Sequence, residues 1–450
     1  PLILEDLKRK GLLLRSAKVE HEYPLCWRCD SPLLYLADRQ WFLKVEQIRG
    51  ELISENQKVR WAPDWAGAAR FGDWLRNAED WCISRSRIWG SPLNVWKCEK
   101  CGSKKVVGTI DELRSLAKSM PEHFELHRPW VDMIVLRCQD CGGDMRRVEF
   151  VLDCWFDSGI AHAAQVNYLS GRTLFNKLYP YDFVTEAVDQ TRGWFYSLIF
   201  TGIVDFDQTS YRSVLCQGHV LDKFNEKMSK SRGNVIWAMD AMDKVGADPM
   251  RLYMLWKASP WDPLAFDYDE LEQITRWLTI LWNIFGFATT YMELDGFDPK
   301  RSTVESLRSH FRLEDKWILA RIHSLIKGVT EGAESYNLHA SVRLMMDFIV
   351  DDLSRLYVRL VRRRTWVERD DPDKLAAYAT LYETLSTLLR LLAPYAPYIT
   401  EELYQRMVAS VDTGAARSVH ACDWPKVDRK LVDERLEAQM KMVQSLISSI

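Results

Sequence analysis

The sequence predicts an α/β domain followed by an all-α one, on three observations. The stretch from Val184 to Cys216 reads as strand, polar turn, helix and strand, the pattern of a βαβ unit. Beyond Asp267 strand signals vanish, and long amphipathic helices with apolar residues at i, i+3, i+4 spacing take over. At 450 residues the chain exceeds what a single core ordinarily organises, so two or three domains are expected.

Composition narrows the function classes. A net charge of −3 gives no global basic field, so any nucleic-acid contact must come from local patches. Nineteen tryptophans and 47% apolar residues exclude a disordered chain. The longest uncharged run, Trp277 to Met292, falls short of the roughly 20 residues a membrane span needs and contains Asn283 and Gly286. It reads as a buried amphipathic helix, and no membrane contact is expected. Six of the ten cysteines fall in Cys-x-x-Cys pairs, a spacing that points to metal rather than disulfides in a reducing, cytoplasmic setting. The chain opens on Pro1 in the middle of a helical pattern, so a fragment of something longer is expected.

In order, residues 1–25 read as a helix and a short strand, a connector into YPLCWRCD. Region 26–150 carries the cysteine pairs. Cys98/Cys101 in CEKCG and Cys138/Cys141 in CQDCGG are matched knuckles whose four thiolates suffice for a closed tetrahedral zinc site, with 103–137 as an inserted arm. Redox dithiols are the alternative. Cys26/Cys29 has no second pair to join; it is either a plain pair of thiols or half of a site whose other ligands lie upstream.

Region 151–268 holds the βαβ unit. Val184 is extended, Glu186, Asp189 and Gln190 crowd the turn, Gly193 to Asp205 is helical, and Tyr211 to Cys216 is the second strand. Ligands of such a unit lie outside the carboxyl ends of its strands. Glu186, Asp189 and Gln190 are expected there, with His219 and the loop that follows; simple helix capping is the competing reading of the carboxylates. The loop gathers Lys227, Lys230 and Arg232 with Ser229, Ser231 and Gly233, and either wraps a polyanion or is a solvated turn. Ala247-Asp248-Pro249 predicts a helix start with Asp as cap. Region 269–450 predicts helices near 271–292, 313–335, 339–366, 372–392 and 399–410, with 294–304 as a linker. Arg355, Arg359, Arg362, Arg363 and Arg364 cluster along one helix, either an RNA-backbone contact or a solvated basic face paired with Asp351 and Asp352.

Several segments carry a family resemblance. Lys227-Met228-Ser229-Lys230-Ser231 looks like the KMSKS signature of class I aminoacyl-tRNA synthetases. With YPLCWRC, RFGDWLRNAEDWCISRSRIWGSP, WFDSG, DQTRGWF and LAPYAPYITEELY, in that order, the chain resembles isoleucyl-tRNA synthetases of archaeal or eukaryote-like type from end to end. Valyl enzymes are similar at DWCISR but differ where this chain reads DQTRGWF.

The resemblance implies the second half of a class I Rossmann-like catalytic domain with a zinc-binding insertion, then an anticodon-binding helical bundle. It implies ATP with Mg2+, Zn2+, isoleucine and tRNA(Ile) as ligands, and a monomer. Lys227 and Lys230 would neutralise the triphosphate within the loop Lys227–Ser231, and His219 would line the adenine side. Glu186, Asp189 and Gln190 would hold the adenylate, and Trp155 and Trp194 would wall the isoleucine side chain. Asn94 stands where the family usually has Pro, and Ala187 where many members have Gly. No His-x-Gly-His motif occurs in the chain, so the resemblance implies a partner in the missing N-terminal half and places the other ligands of Cys26/Cys29 there. A non-catalytic tRNA- or zinc-binding paralogue is the alternative.

Overall fold

A computed structural model describes residues 2–26, 29–230 and 232–448. The chain divides into two compact units that interleave along the sequence: Pro1–Leu43 with Asp80–Asp153, and Lys44–Glu79 with Cys154–Ile450.

The first unit opens with the helix Leu2–Arg9, and the short strand expected after it is a single bridge between Leu25 and Pro32. Its organising element is a four-stranded antiparallel sheet. The spatial order is Lys104–Val106, Val95–Cys98, Asp144–Arg147, Leu136–Arg137. The stretch 103–137 is therefore no loose arm. It supplies both edge strands and the helix Ile110–Leu116, capped by the Thr109 hydroxyl at 3.1 Å from the Glu112 N–H. Trp96, Leu113, Val131, Ile134, Leu136 and Met145 form one small core beneath it. Asn94 donates its side-chain amide to the Val107 carbonyl at 2.7 Å, a bond a proline there could not make. Arg85 pairs with the buried Asp153 at 2.7 Å.

In the second unit Val184–Ala187, Ser213–Gln217 and Arg60–Ala62 form a parallel three-stranded sheet, with Ser213–Gln217 in the centre. The helix Trp194–Phe206 joins the first two strands, completing the βαβ unit. Phe195 buries its ring edge-on to Trp61, with centroids 5.5 Å apart. Trp61 in turn donates its indole N–H to Asn56 at 2.9 Å. Such sheets need cover on both faces, and the near-continuous apolar helix supplies one of them.

The all-α half follows the predicted periodicity closely. Helices run Tyr268–Leu294, Leu313–Glu334 and Pro372–Leu392, and the residues between the first two contain only a short 3₁₀ turn, Arg308–His310. The run from Leu338 to Trp366 is continuous but not uniform: α over Leu338–Asp347, π over Phe348–Tyr357, α over Val358–Val361 and 3₁₀ over Arg362–Trp366. Pro397–Tyr404 continues as a π turn to Ala409. A further helix, Glu434–Ser448, buries Leu436 and Met440 in the core and adds polar contacts. Glu437 takes Arg321 at 2.8 Å and the Ser324 hydroxyl at 2.6 Å, and Gln444 donates to Asp352 at 2.9 Å.

Two sequence expectations are corrected here. Asp248 does not cap its own helix, Ala247–Trp256. Gly246 sits before that helix, and the buried Asp248 carboxylate instead accepts the N–H groups of Tyr398 and Ile399 at 3.3 and 2.6 Å, capping the helix Pro397–Tyr404. Arg364 is not part of the basic surface. It is buried and grips both oxygens of the fully buried Asp315 at 3.0 and 2.9 Å, where Tyr357 also donates at 2.9 Å. Asp352 likewise turns inward to Arg321 at 3.0 Å, leaving Asp351 to pair with Arg355.

Two stability predictions follow from this packing. Arg364→Ala strands a buried carboxylate and is expected to lower unfolding free energy by about 3–5 kcal/mol, read from urea denaturation. His162 is buried, bonded to Thr201 at 3.0 Å, and burial pushes its imidazole down to about 4. The folded state favours the neutral ring, so this stability is complete above the unfolded value near 6.5 and is lost as pH falls toward 4. Wild-type stability is expected to decline more steeply across that window than that of His162→Gln, by at most about 1.4 kcal/mol per pH unit.

Candidate nucleotide-binding site and metal centre

Parallel register places Ala187 opposite Gln217, so both strands end at the same level. After Ala187 a 3₁₀ turn, Val188–Arg192, feeds the helix Trp194–Phe206. Its polar groups divide the work. Gln190 is the cap, accepting the Trp194 N–H at 3.0 Å and donating to Asp189 at 3.1 Å. The carboxylates of Glu186 and Asp189 remain exposed. A Cβ at Gly193 would lie 2.5 Å from the Gln190 side-chain oxygen and 3.1 Å from the Trp155 ring, so a side chain there would displace the Gln190 contact with Trp194. Trp155 thus sits against the turn, on the helix Cys154–Gly159. Trp194 donates its indole N–H to the Ser158 carbonyl at 3.0 Å, and Thr201 ties Gly159 to the same helix at 2.6 Å.

A cleft of about 390 Å³ runs along the strand Val184–Ala187. Glu186 and Trp194 line it, with His162, Gln165 and Thr185; Trp155, Asp189 and Gln190 do not. His162 and Gln165 carried no sequence signal, because their place depends on how the segment after Gly159 folds back.

Just after the second strand, His219 is exposed and its carbonyl accepts the Leu264 N–H at 2.9 Å. The parallel pair Val220–Leu221 and Leu264–Ala265 then launches the lysine loop. Two residues the sequence reading passed over hold it together. Asp222 accepts the N–H groups of Phe224 and Glu226, both at 2.9 Å. Asn234 donates to Asp222 at 2.9 Å and accepts the Ser229 N–H at 2.9 Å. The bond from Asn234, then those from Glu226 and Phe224, hold the Asp222 carboxyl below its usual range. Asn and Asp bonding to nearby backbone is a recognisable turn signal, but its partners here are twelve residues apart.

Within this frame Met228 is half-buried against the helical core, while Lys227 and Lys230 are exposed. Lys230 lies over the Trp237 ring, 5.0 Å from its centroid. Arg232 pairs with Glu226 at 3.4 Å. Ser231 lies outside the described residues. In the bundle Arg355, Arg359, Arg362 and Arg363 are exposed, Arg355 pairs with Asp351 at 2.7 Å, and Arg362 lies over Phe287 at 5.9 Å.

The knuckle cysteines converge. The Sγ atoms of Cys98, Cys101, Cys138 and Cys141 lie within 4.8 Å of one another, with Cys98–Cys141 at 3.5 Å and Cys101–Cys138 at 3.7 Å. Four sulfurs about 2.3 Å from a tetrahedral zinc would stand about 3.8 Å apart, so the set fits that ion. Gly102 and Gly142 follow the second cysteine of each pair with φ of +73° and +71°, the left-handed turn a side chain would resist. The Cys101 backbone N–H chiefly lowers the Cys98 thiol to about 6. Cys26 and Cys29 join no such cluster among the described residues; Cys29 bonds to Ser31 at 3.3 Å.

Residues 6–267 match the model of the class I tRNA synthetases (I, L, M and V), and residues 315–450 match that of the anticodon-binding domain of tRNA ligases. The chain belongs to the class I tRNA synthetases. It is 49% identical over 448 residues to the isoleucine–tRNA ligase of Methanothermobacter thermautotrophicus, covering 99% of this chain and 43% of that protein. It is 48% identical over 450 residues to that of Methanosarcina barkeri, covering 100% and 42%. The chain therefore spans under half the length of these relatives. Among solved structures, its fold is similar to the LeuRS–tRNA–LeuAMS ternary complex of Agrobacterium radiobacter K84 (TM-score 0.59, 22% identity, 82% of this chain and 46% of that one). It is also similar to Mycobacterium tuberculosis methionyl-tRNA synthetase with methionyl-adenylate (TM-score 0.55, 16% identity, 89% and 72%). No helix of the described residues is long and apolar enough to cross a membrane.

Metal analysis of the purified chain is expected to find one tightly held zinc, lost in Cys98→Ser together with the order of the surrounding sheet. Zero or two zinc ions per chain would contradict this assignment.

Proposed function

We propose that this chain is the phosphate-loop and tRNA-binding part of an isoleucine–tRNA ligase. The observation that carries the reading is 48–49% identity over essentially the whole chain to relatives of that name. The exposed Lys227 and Lys230, in a loop launched beside the sheet, support it.

In the proposed reaction a carboxylate oxygen of isoleucine attacks the α-phosphorus of ATP. The bond to the bridging oxygen breaks, and pyrophosphate leaves with the electron pair. A ribose hydroxyl of the tRNA terminus then attacks the isoleucyl carbonyl carbon and AMP departs. Positioning and charge stabilisation carry such chemistry. Lys227 and Lys230 hold the β- and γ-phosphates, and Lys230 follows the charge as it moves onto pyrophosphate. Mg2+, when bound with the triphosphate, would supply further positive charge there. Ser229 and Ser231 offer hydroxyls to the same group, Met228 anchors the loop, and His219 lies beside the adenine. Glu186 holds the amino group, Asp189 the ribose, and Gln190 shapes the turn between them. Trp155 and Trp194 bound the isoleucine side chain. Zinc at the four knuckle cysteines is structural, since all four tetrahedral positions are filled by protein. Arg359, Arg362 and Arg363, with Arg355 beyond its ion pair, face the tRNA backbone.

The test is isoleucine-dependent ATP–pyrophosphate exchange. The chain alone is expected to give none. Preceded by the corresponding N-terminal segment of the Methanothermobacter relative, it is expected to exchange with isoleucine far better than with valine. Lys230→Ala in that pairing is expected to reduce the rate by about a hundredfold or more. Exchange that prefers valine, or that survives Lys230→Ala intact, would refute the reading.

A further inference from the structure

The lysine loop has a neighbour that its proposed chemistry does not use. Trp237 begins the helix Ala238–Val245, and its carbonyl accepts the N–H of the fully buried Ala241 at 3.0 Å. Its backbone is thus fixed, yet the residue is 53% exposed. Lys230 lies across that exposed ring with its ammonium 5.0 Å from the centroid. The path between them is set by Gly233, at φ +70°, and by Asn234, which bonds to the Ser229 N–H.

The holder is uncharged. Arg232 has a carboxylate partner in Glu226, but among the described residues no carboxylate pairs with Lys230. Nor does the ammonium of Lys227 have an ion pair or ring contact among them. A carboxylate beside Lys230 would compete with a phosphate for the same charge. An aromatic face holds an ammonium by its quadrupole, worth a factor of about two to five at an exposed site, and yields to a full anionic charge.

We infer that Trp237 is a positioning residue that parks Lys230 while the loop is empty and releases it when a polyphosphate arrives. This rests on the reading of the loop as a polyphosphate clamp. It gives the two lysines unequal roles: Lys227 stands free to meet the anion first, and Lys230 follows by leaving the ring.

The experiment uses the full 450-residue chain. Lysines are acylated with a limiting amine reagent, and modification is mapped by mass spectrometry with and without inorganic tripolyphosphate. In Trp237→Ala the Lys230 rate is expected to rise about two- to fivefold with Lys227 unchanged, and tripolyphosphate is expected to bind about two- to fivefold more tightly. Trp237→Phe, which keeps a weaker ring and serves if the alanine variant does not fold, is expected to fall between the two. Protection of both lysines by tripolyphosphate with the Lys230 rate indifferent to either substitution would overturn the parking role and leave the clamp standing. Failure of tripolyphosphate to protect either lysine in the unsubstituted chain would overturn the clamp, and the parking role with it.

Discussion

The parallel pairing of Val184–Ala187 with Ser213–Gln217 is the constraint from which the site follows. Parallel strands joined by a helix must run the same way, so whatever follows each strand emerges at one end of the sheet. The first strand delivers Glu186 and the turn through Gln190 to that end. The second delivers His219, the short pair with Leu264–Ala265, and then the lysine loop. Slipping the register by one residue would turn Glu186 to the opposite face and separate the two groups. The buried aromatic pair Trp61–Phe195 and the helix Trp194–Phe206 secure the register from one face.

The legible part of the molecule was the part written in local patterns. Helix periodicity marked the all-α half to within a few residues, and Cys-x-x-Cys-Gly marked the four cysteines that converge because the turn that presents each pair is itself local. What escaped was long-range. Arg364 looked like its neighbours along the helix and is distinguished only by Asp315, about fifty residues away, arriving beneath it. Asp248 obeyed a capping rule but served another helix, at Tyr398 and Ile399. The helix Glu434–Ser448 buries only Leu436 and Met440 in the core among its described residues, and Glu437 and Gln444 reach across to Arg321, Ser324 and Asp352. The strand Arg60–Ala62 is three residues long, too short for an alternation to register.

In the candidate site the same division holds. The competing reading of the turn, that its carboxylates cap a helix, does not hold: Gln190 accepts the Trp194 N–H, and the carboxylates of Glu186 and Asp189 are exposed. Asp222 and Asn234 show how a loop rich in Lys, Ser and Gly keeps a shape. A single carboxylate and a single amide close the loop at its base, where the Lys227 backbone bridges Leu221 and its carbonyl accepts the Asn234 amide at 3.3 Å, while the ammonium groups of Lys227 and Lys230 take no part in that network.

The π segment Phe348–Tyr357 has a consequence for the basic face beyond it. A π turn closes one revolution with one residue more than an α turn, so it absorbs that residue without turning the helix beyond it. The direction in which Arg359, Arg362 and Arg363 look is therefore set by the winding of the preceding turns as well as by their place in the chain. Rewinding one of those turns as α with every residue kept would swing the stripe by about 100° and pull Arg364 out of line with Asp315. Deleting one residue together with that rewinding would leave both where they are, so in this stretch a change of winding disturbs the surface more than a compensated deletion does.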